Sequence, residues 1–499
     1  MPHRVKHLVM GLSVIAVLAT LAARQSPLEA QSLNRASKNR LFDERDRQGA
    51  QDRELSDSEE QDGRDSSNNG LRGTVGDNET ANANSLDPQT SGNQTLLVED
   101  LPKKPEALGV DEDATLETVE DDPYAAIGIR VGGFLLFPEL LTQSVYNDNI
   151  FLSPTQPEGD WALELAPSLA IQSDWNRHSL QANISGVRSF HERFKSEDDE
   201  SYSANVTGQL DIRRDTNVIA SAGLSHSLED RGSNDFPANA AERAATENYD
   251  ASLEGNHTFN RVTFTLRGEA SEENLDNSIA ADGSLIDNSQ RDYIERRLTG
   301  RTAYEFQPGV QAFIEASTND REFSRKVDNN GVLNGSSGHD IQAGLAFKLS
   351  GKLTGEVSAG YALQTPDDST LQDVDGLIFN AALEYKATAL TTFGFDAASE
   401  IAETTSAGSA GSINRSAMVS VEHRPRRNII LGASLGYEHE KFSGTDDTSE
   451  DWVTALTGEY LFSPSVGLVV SYEHAESISS APGSDYSTDE VRMGMRLRR

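Results

Sequence analysis

The chain has 499 residues, of which 36% are hydrophobic and none is cysteine, and its 80 acidic and 43 basic residues give a formal charge of −37. A mean hydropathy of −0.53 excludes a helical membrane protein with several spans, because each span needs about 20 apolar residues. The acidic balance disfavours nucleic-acid binding, since it repels phosphates, and the lack of cysteine excludes disulfides, thiolate metal sites and cysteine nucleophiles.

Residues 1–30 have the pattern of a secretory signal peptide. Arg4 and Lys6 precede an apolar stretch from Leu8 to Ala23, and Leu28-Glu29-Ala30 supplies a small-residue cleavage pattern. A retained N-terminal anchor is the alternative interpretation. Export of an acidic, cysteine-free chain indicates the periplasm or outer membrane of a Gram-negative bacterium.

Residues 31–123 are predicted to be a disordered acidic tail in the periplasm. This stretch is dense in Asp, Glu, Asn, Ser and Gln and carries about −13 of the formal charge, so it cannot bury enough apolar surface to offset its ordering entropy. The run Asp111-Glu112-Asp113 is open to two interpretations, a docking motif or a solvated spacer.

Residues 124–499 alternate between apolar and polar side chains, which is typical of strands with two different faces. From Trp161 to Ile171 the odd positions are mainly apolar, and from Tyr202 to Ile212 the even positions are. About 18 segments of roughly ten residues follow this rule, each long enough to cross a membrane as a tilted strand.

The connections between these segments alternate in length. Short ones such as Asn260 to Arg261 alternate with long polar ones such as Glu229 to Asn248 and Asn319 to Asp340. Because a β-helix needs one period and a sandwich need not keep its tight turns at one end, the pattern favours an all-β fold. We predict a transmembrane antiparallel up-and-down β-barrel of 16 to 18 strands, with aromatic residues such as Trp161, Trp452 and Phe462 near its two ends.

Several motifs resemble the beta-barrel porin-2 family of bacterial outer-membrane proteins. They are Gly133-Phe134-Leu135-Leu136, Tyr146-Asn147-Asp148-Asn149-Ile150-Phe151, Ala166-Pro167-Ser168-Leu169, Ser173-Asp174-Trp175-Asn176-Arg177-His178 and Phe259-Asn260-Arg261. The resemblance covers roughly residues 132–499 and implies an outer-membrane barrel, with many members associated with exopolysaccharide or capsule production. The last strand ends in Arg498-Arg499 instead of the terminal aromatic that usually guides barrel insertion.

If the apolar parity faces lipid, the opposite parity lines a lumen. The candidate lumen residues are Glu164, Gln181, Asn183, Gln209, Asp211, Arg267, Glu269, Arg297, Arg301, Glu305, Glu315, Lys348, Glu356, Glu384, Glu459 and Arg496. Because carboxylates outnumber basic groups, one hypothesis is a water-filled pore with mild cation preference. The other is a barrel closed by its own side chains.

Catalytic and metal signals are weak. Gly432-Ala433-Ser434-Leu435-Gly436 matches a nucleophile-elbow pattern but lies within an alternating strand, and the histidines lack metal-ligand spacing, although His191, His226 and His439 could approach one another at the rim. Acidic clusters such as Glu197-Asp198-Asp199-Glu200 could weakly bridge to lipopolysaccharide through divalent ions. We therefore predict no catalytic, metal or cofactor site.

The predicted function is a porin-like channel or a barrel associated with polysaccharide export, and not an enzyme. A structural or surface-interaction barrel with a plugged lumen is the alternative, and an outer-membrane hydrolase is a remote one. The expected partners are outer-membrane lipid and lipopolysaccharide, the barrel insertion machinery and polysaccharide export components.

Overall fold

The computed structural model describes residues 123–499 except 234, 238, 329–330, 350, 403, 405–408 and 481–483. The predicted signal peptide and all of the predicted tail but Pro123 lie outside the described residues. The strands are β1 Ile129–Val131, β2 Phe134–Asn147, β3 Asp160–Ser173, β4 Ser179–His191, β5 Glu200–Arg213, β6 Thr216–Leu228, β7 Ala245–Phe259, β8 Val262–Leu275, β9 Ser278–Ile279, β10 Leu285–Ile286, β11 Tyr293–Gln307, β12 Val310–Phe323, β13 Ser336–Leu349, β14 Leu353–Pro366, β15 Val374–Thr388, β16 Thr391–Ala402, β17 Ser412–Arg426, β18 Ile429–Phe442, β19 Thr448–Ser463, β20 Val466–Ser479 and β21 Tyr486–Arg498. A 3₁₀ turn spans Lys195–Glu197.

Eighteen of these strands form one closed antiparallel barrel within the described chain. Each strand pairs with its neighbour in sequence, β11 continues from β8, and β21 returns to β2 through pairs from Glu139↔Arg498 to Asn147↔Glu490. The predicted fold class is therefore confirmed, at the upper end of the predicted strand count. Among the described residues, no helix has the length and apolar character needed to cross a membrane.

The strands are longer and the loops shorter than the sequence suggested. Barrel strands run from 12 to 16 residues instead of about ten. The connection predicted from Glu229 to Asn248 spans only 229–244, and the one predicted from Asn319 to Asp340 spans only 324–335. Polar side chains that face inward at the strand ends were assigned to loops, because alternation fades where the outer face also turns polar.

The two faces of the barrel differ in chemistry. Outward positions carry exposed apolar side chains such as Leu163, Leu253 and Leu377, whereas the intervening positions point inward and are largely polar. An exposed apolar belt on a closed barrel is the surface of a membrane-spanning barrel, because lipid, not protein, covers it.

All long connections lie at one end of the barrel, the loop end, and all tight turns at the other, the turn end. Tight turns are made by residues such as Asn260, with φ of 58°, and Gly309, with φ of 73°. Trp161 and Trp452 lie at the loop end and pack in tilted contacts against Tyr146 and Tyr437, with ring centroids 5.0 and 4.5 Å apart.

The two ends of the barrel sheet are fastened together at the turn end, where the described chain enters. The short strand β1 pairs with Phe134–Leu136, the part of β2 that β21 does not reach. Arg498 donates through Nη2 to the carbonyl of Tyr124 at 3.0 Å and through Nε to that of Pro464 at 3.2 Å. Arg498 therefore links the entering segment to the turn that precedes β20, beside the closing strand pair.

We expect Arg498→Ala to lower barrel stability by about 1–2 kcal/mol, because it removes two charged hydrogen bonds at the closure. The measurement is the unfolding midpoint in denaturant, followed by the heat-dependent shift in gel mobility. Arg426→Ala is the matched control, since Arg426 is an exposed arginine of the same barrel end. An equal change in both variants would contradict a closing role for Arg498.

Candidate functional site: the lumen and its loop-end mouth

The inward face is identified by contacts between strands that are not neighbours. Arg301 on β11 donates to both carboxylate oxygens of Glu356 on β14 at 2.9 and 2.7 Å, across the two strands that separate them. Side chains diverge on the convex side of a barrel and converge on the concave side, so this pair lies in the lumen.

The first group of predicted lumen residues forms a packed wall on strands β7 to β14. Arg267 is buried against Glu254 and lies 3.8 Å from Glu269. Arg297 pairs with Glu295 at 3.0 Å, and Arg301 lies 3.7 Å from Glu315. Each of these guanidinium groups lies beside carboxylates, so this wall presents little net positive charge to the lumen.

Arg301 also stacks on an aromatic ring inside the barrel. Its guanidinium carbon lies 3.6 Å from the centre of the Phe313 ring, and its side chain is 3% exposed. A cation over an aromatic face, flanked by two carboxylates, is held in one orientation. Arg301 is therefore a fixed structural cation of the wall.

A second packed wall lies where the barrel closes. Arg496 is 3.4 Å from Glu459 and 3.5 Å from Glu139, and Glu164 accepts a hydrogen bond from Gln143 at 2.6 Å. Leu141, which faces inward beside Arg496, is fully buried. This side of the lumen is filled by side chains.

The remaining predicted lumen residues lie apart from these walls. Gln209 donates to Asp211 at 2.9 Å on β5, and Glu305 accepts from the amide of Gly309 at the turn end. Lys348 is exposed near the turn end, and Glu384 pairs there with Lys386 at 3.1 Å.

Sequence reasoning missed several charged lumen residues, among them four in the packed walls: Glu254, Glu295, Arg321 and Arg492. Arg321 was assigned to a loop, yet it lies in the inward row of β12, pairs with Glu295 at 2.6 Å and reaches the Ile401 carbonyl on β16 at 3.2 Å. Arg492 has the same parity as Arg496 and is buried beside Glu490. Extending the parity rule to the full strand lengths would have found all four.

Between the walls, the lumen is lined by solvent-exposed polar side chains. Gln181, Asn205 and Thr207 on β4 and β5 face inward and are exposed, like Asp250 on β7. On the opposite side, Asp396 and Glu400 of β16 are exposed as well. We call these six residues the wet face. Its charged members are all carboxylates, whereas most lumen arginines lie in the packed walls and the exposed cation Lys348 lies apart, near the turn end.

The loop 229–244 extends over the mouth of the barrel at the loop end. Arg231 of this loop contacts two aromatic side chains. Its guanidinium carbon lies 5.5 Å from the ring centres of both Phe151 and Phe236. Asp235 accepts a hydrogen bond at 3.1 Å from Thr404, in the loop between β16 and β17 on the far side of the barrel. Because β6 and β16 are nearly opposite in the strand order, this contact spans the mouth. We call the described residues of loop 229–244 the lid.

Ion pairs hold the lid to the neighbouring loops. Glu197 is buried and accepts two hydrogen bonds from Arg231, at 3.0 and 2.8 Å, while Arg243 lies 3.6 Å from it and 3.4 Å from Asp199. Glu229 pairs with Arg291 at 2.7 Å on the other side. Arg231 is the main attractive cause that holds the pKa of Glu197 below its usual range, against the opposing effect of burial.

The acidic cluster at 197–200 is therefore engaged by arginines. The interpretation of Glu197 and Asp199 as ligands for a divalent ion is wrong for this reason, and no group of three or more His, Asp or Glu residues able to hold a metal occurs in the described ranges. The expected approach of three histidines is also wrong, since His226 stacks on Tyr202 at the outer face while His191 lies beside Asp198. Ser434 lies within β18, opposite Ser420.

We expect Glu197→Gln to release the lid, because it removes the anion that two largely buried arginines share. Hydrogen exchange of the peptide covering 229–244 should accelerate by about tenfold or more, which corresponds to the loss of a buried charged contact. Glu192→Gln is the matched control, since Glu192 is exposed in the same loop. Unchanged exchange in Glu197→Gln would contradict this role of the ion pairs.

We also expect the lid to loosen as the pH rises from below 4 to about 6. Desolvation raises the pKa of Asp230 to about 6, with Arg231, Arg243 and Asp199 as its charged neighbours. A carboxyl whose pKa is raised in the closed lid favours that state when protonated, so this contribution is present at low pH and is lost as the pH rises to about 6. Hydrogen exchange of 229–244, corrected for intrinsic rates, should be slower at pH 5 than at pH 7.5. Asp230→Asn should abolish the difference, and a difference that persists in this variant would assign it to another group.

The sequence comparisons identify a family for most of the described chain. The family model described as "Putative beta-barrel porin 2" matches residues 122–499. No curated protein matches the chain significantly. Among solved structures, the siderophore receptor PiuA from Acinetobacter baumannii is 9% identical with a TM-score of 0.41, over 74% of this chain and 82% of that one. OpdK from Pseudomonas aeruginosa is 11% identical with a TM-score of 0.38, over 73% and 99%. With its family model covering residues 122–499, the chain belongs to the porin-2 family of outer-membrane β-barrels.

Proposed function

We propose that the protein is a porin-like passive channel of the outer membrane that prefers cations and whose loop-end mouth is narrowed by the lid. The observation that carries this proposal is the wet face, where inward side chains such as Asn205 and Asp250 are exposed to solvent. A barrel filled by its own side chains would bury them. An 18-strand barrel is also wide enough to enclose water.

The cation preference is argued from where the lumen charges are exposed. The charged residues of the wet face are carboxylates, whereas Arg267, Arg301 and Arg496 are buried beside carboxylates. A permeating ion interacts more strongly with the exposed charges than with the arginines of a packed wall, because the field of each arginine is largely cancelled by its neighbouring carboxylates. Small cations are therefore the solute class that the lumen favours.

A barrel with no transport function is the second candidate. The two packed walls and the lid support it, since Leu141 faces inward and is fully buried and the contact between Asp235 and Thr404 spans the mouth. In this alternative, the loops would serve surface contacts with lipopolysaccharide or other molecules. An association with exopolysaccharide or capsule export is a further proposal, which rests on the family resemblance alone. A periplasmic position of residues 31–123 is a proposal that rests on the even strand count, which places both ends of the barrel chain at the turn end. Contacts with the insertion machinery are likewise a proposal.

We expect the full chain to form cation-selective channels in planar lipid bilayers. Replacing Asp250→Asn, Asp396→Asn and Glu400→Gln together should lower the permeability ratio of potassium to chloride by at least about twofold, because it removes the exposed lumen charges. Reversal potentials in a potassium chloride gradient give this ratio, and gel mobility shifts confirm that the variant folds.

The matched control replaces three outward carboxylates, Glu247→Gln, Asp320→Asn and Glu322→Gln, which have the opposite parity. It should leave the permeability ratio unchanged. Folded protein without conductance would overturn the channel and favour the closed barrel, and equal effects of the two variants would overturn the assignment of selectivity to the wet face.

A further inference from the structure

The turn end carries an unusual concentration of exposed basic side chains for a chain with a formal charge of −37. Six of them define what we call the basic rim: Arg213, Arg214, Arg261, Lys352, Arg426 and Arg499. They come from five different places around the barrel end. The loop end differs, since its exposed residues include Asp282, Asp287, Asp446 and Asp447.

The basic rim is only partly neutralised by the described part of the chain. None of its six side chains forms an ion pair with another described side chain. The nearby exposed carboxylates of Asp174 and Glu384 are already paired with Arg130 and Lys386. Asp215 accepts a hydrogen bond from Thr216, and its carboxylate also attracts Arg213. Apart from the attraction between Arg213 and Asp215, the rim therefore keeps an excess of exposed positive charge.

The chain supplies a matching anionic segment next to this surface. Residues 111–122 lie outside the described residues and contain Asp111, Glu112, Asp113, Glu117, Glu120, Asp121 and Asp122, with no basic residue. This acidic run joins the barrel through Tyr124, whose carbonyl Arg498 holds at the turn end.

The length of the acidic run fits the dimensions of the rim. Twelve extended residues span about 40 Å. Eighteen strands spaced about 4.8 Å apart and tilted by about 40° give a barrel about 35 Å across. The acidic run is therefore long enough to reach basic side chains on the far side of the opening. Its covalent attachment also keeps its local concentration high, in the millimolar range for short tethers.

We propose that the basic rim binds the acidic run 111–122 of the same chain. The contacts are multivalent charge pairs between exposed side chains, so they are sensitive to salt. This intramolecular contact does not depend on whether the lumen conducts.

The lack of native cysteine allows a direct distance measurement. Spin labels are placed at Ala114→Cys in the acidic run and Ala389→Cys in the turn between β15 and β16, in the full chain in zwitterionic lipid nanodiscs. At about 0.05 M salt we expect a narrow distance distribution, and at about 0.5 M salt, where charges are screened within about 4 Å, at least about a doubling of its width.

Two complementary variants assign the contact. The acidic-run variant carries Asp111→Asn, Glu112→Gln, Asp113→Asn and Glu117→Gln, and the rim variant carries Arg213→Gln, Arg214→Gln and Lys352→Gln. Each should broaden the low-salt distribution as high salt does. A control with Asp282→Asn, Asp287→Asn, Asp446→Asn and Asp447→Asn at the loop end should keep it narrow. A distribution that is broad at low salt in the unmodified chain, or that neither variant changes, would overturn the proposal.

Discussion

Backbone hydrogen bonding within lipid is the constraint on which this structure depends. A strand that crosses a membrane must pair on both edges, so the sheet must close, and here β21 returns to β2 over nine residue pairs. Closure gives every strand a lipid side and a lumen side that alternate residue by residue. The apolar belt, the packed walls and the wet face all follow from this alternation.

This constraint explains what the sequence could predict. Strand parity is local, so the alternation from Trp161 to Ile171 and from Tyr202 to Ile212 was enough to identify the barrel and most of its strands. The ends of the strands were harder to predict, because the outer face of a strand becomes polar beyond the apolar belt. Arg321 was assigned to a loop for that reason, although it belongs to the inward row of β12.

The lid and the packed walls could not be predicted from local patterns. The contact between Asp235 and Thr404 joins residues 169 positions apart, and nothing in either segment indicates the other. Likewise, the sequence places Arg301 and Glu356 inward but does not tell whether they face water or each other. Such pairings depend on barrel curvature and strand order, which bring β11 and β14 together on the concave side.

The distribution of charge also acquires a structural meaning. Lumen arginines that lie within carboxylate groups stabilise the walls and add little to the field in the lumen, whereas exposed carboxylates act on the water between the walls. A basic turn end and an acidic loop end then give the barrel an axial asymmetry of charge. The acidic stretch that precedes Tyr124 joins the barrel at the basic end. The position at which the strands close therefore also determines that this acidic stretch is attached next to the basic side chains.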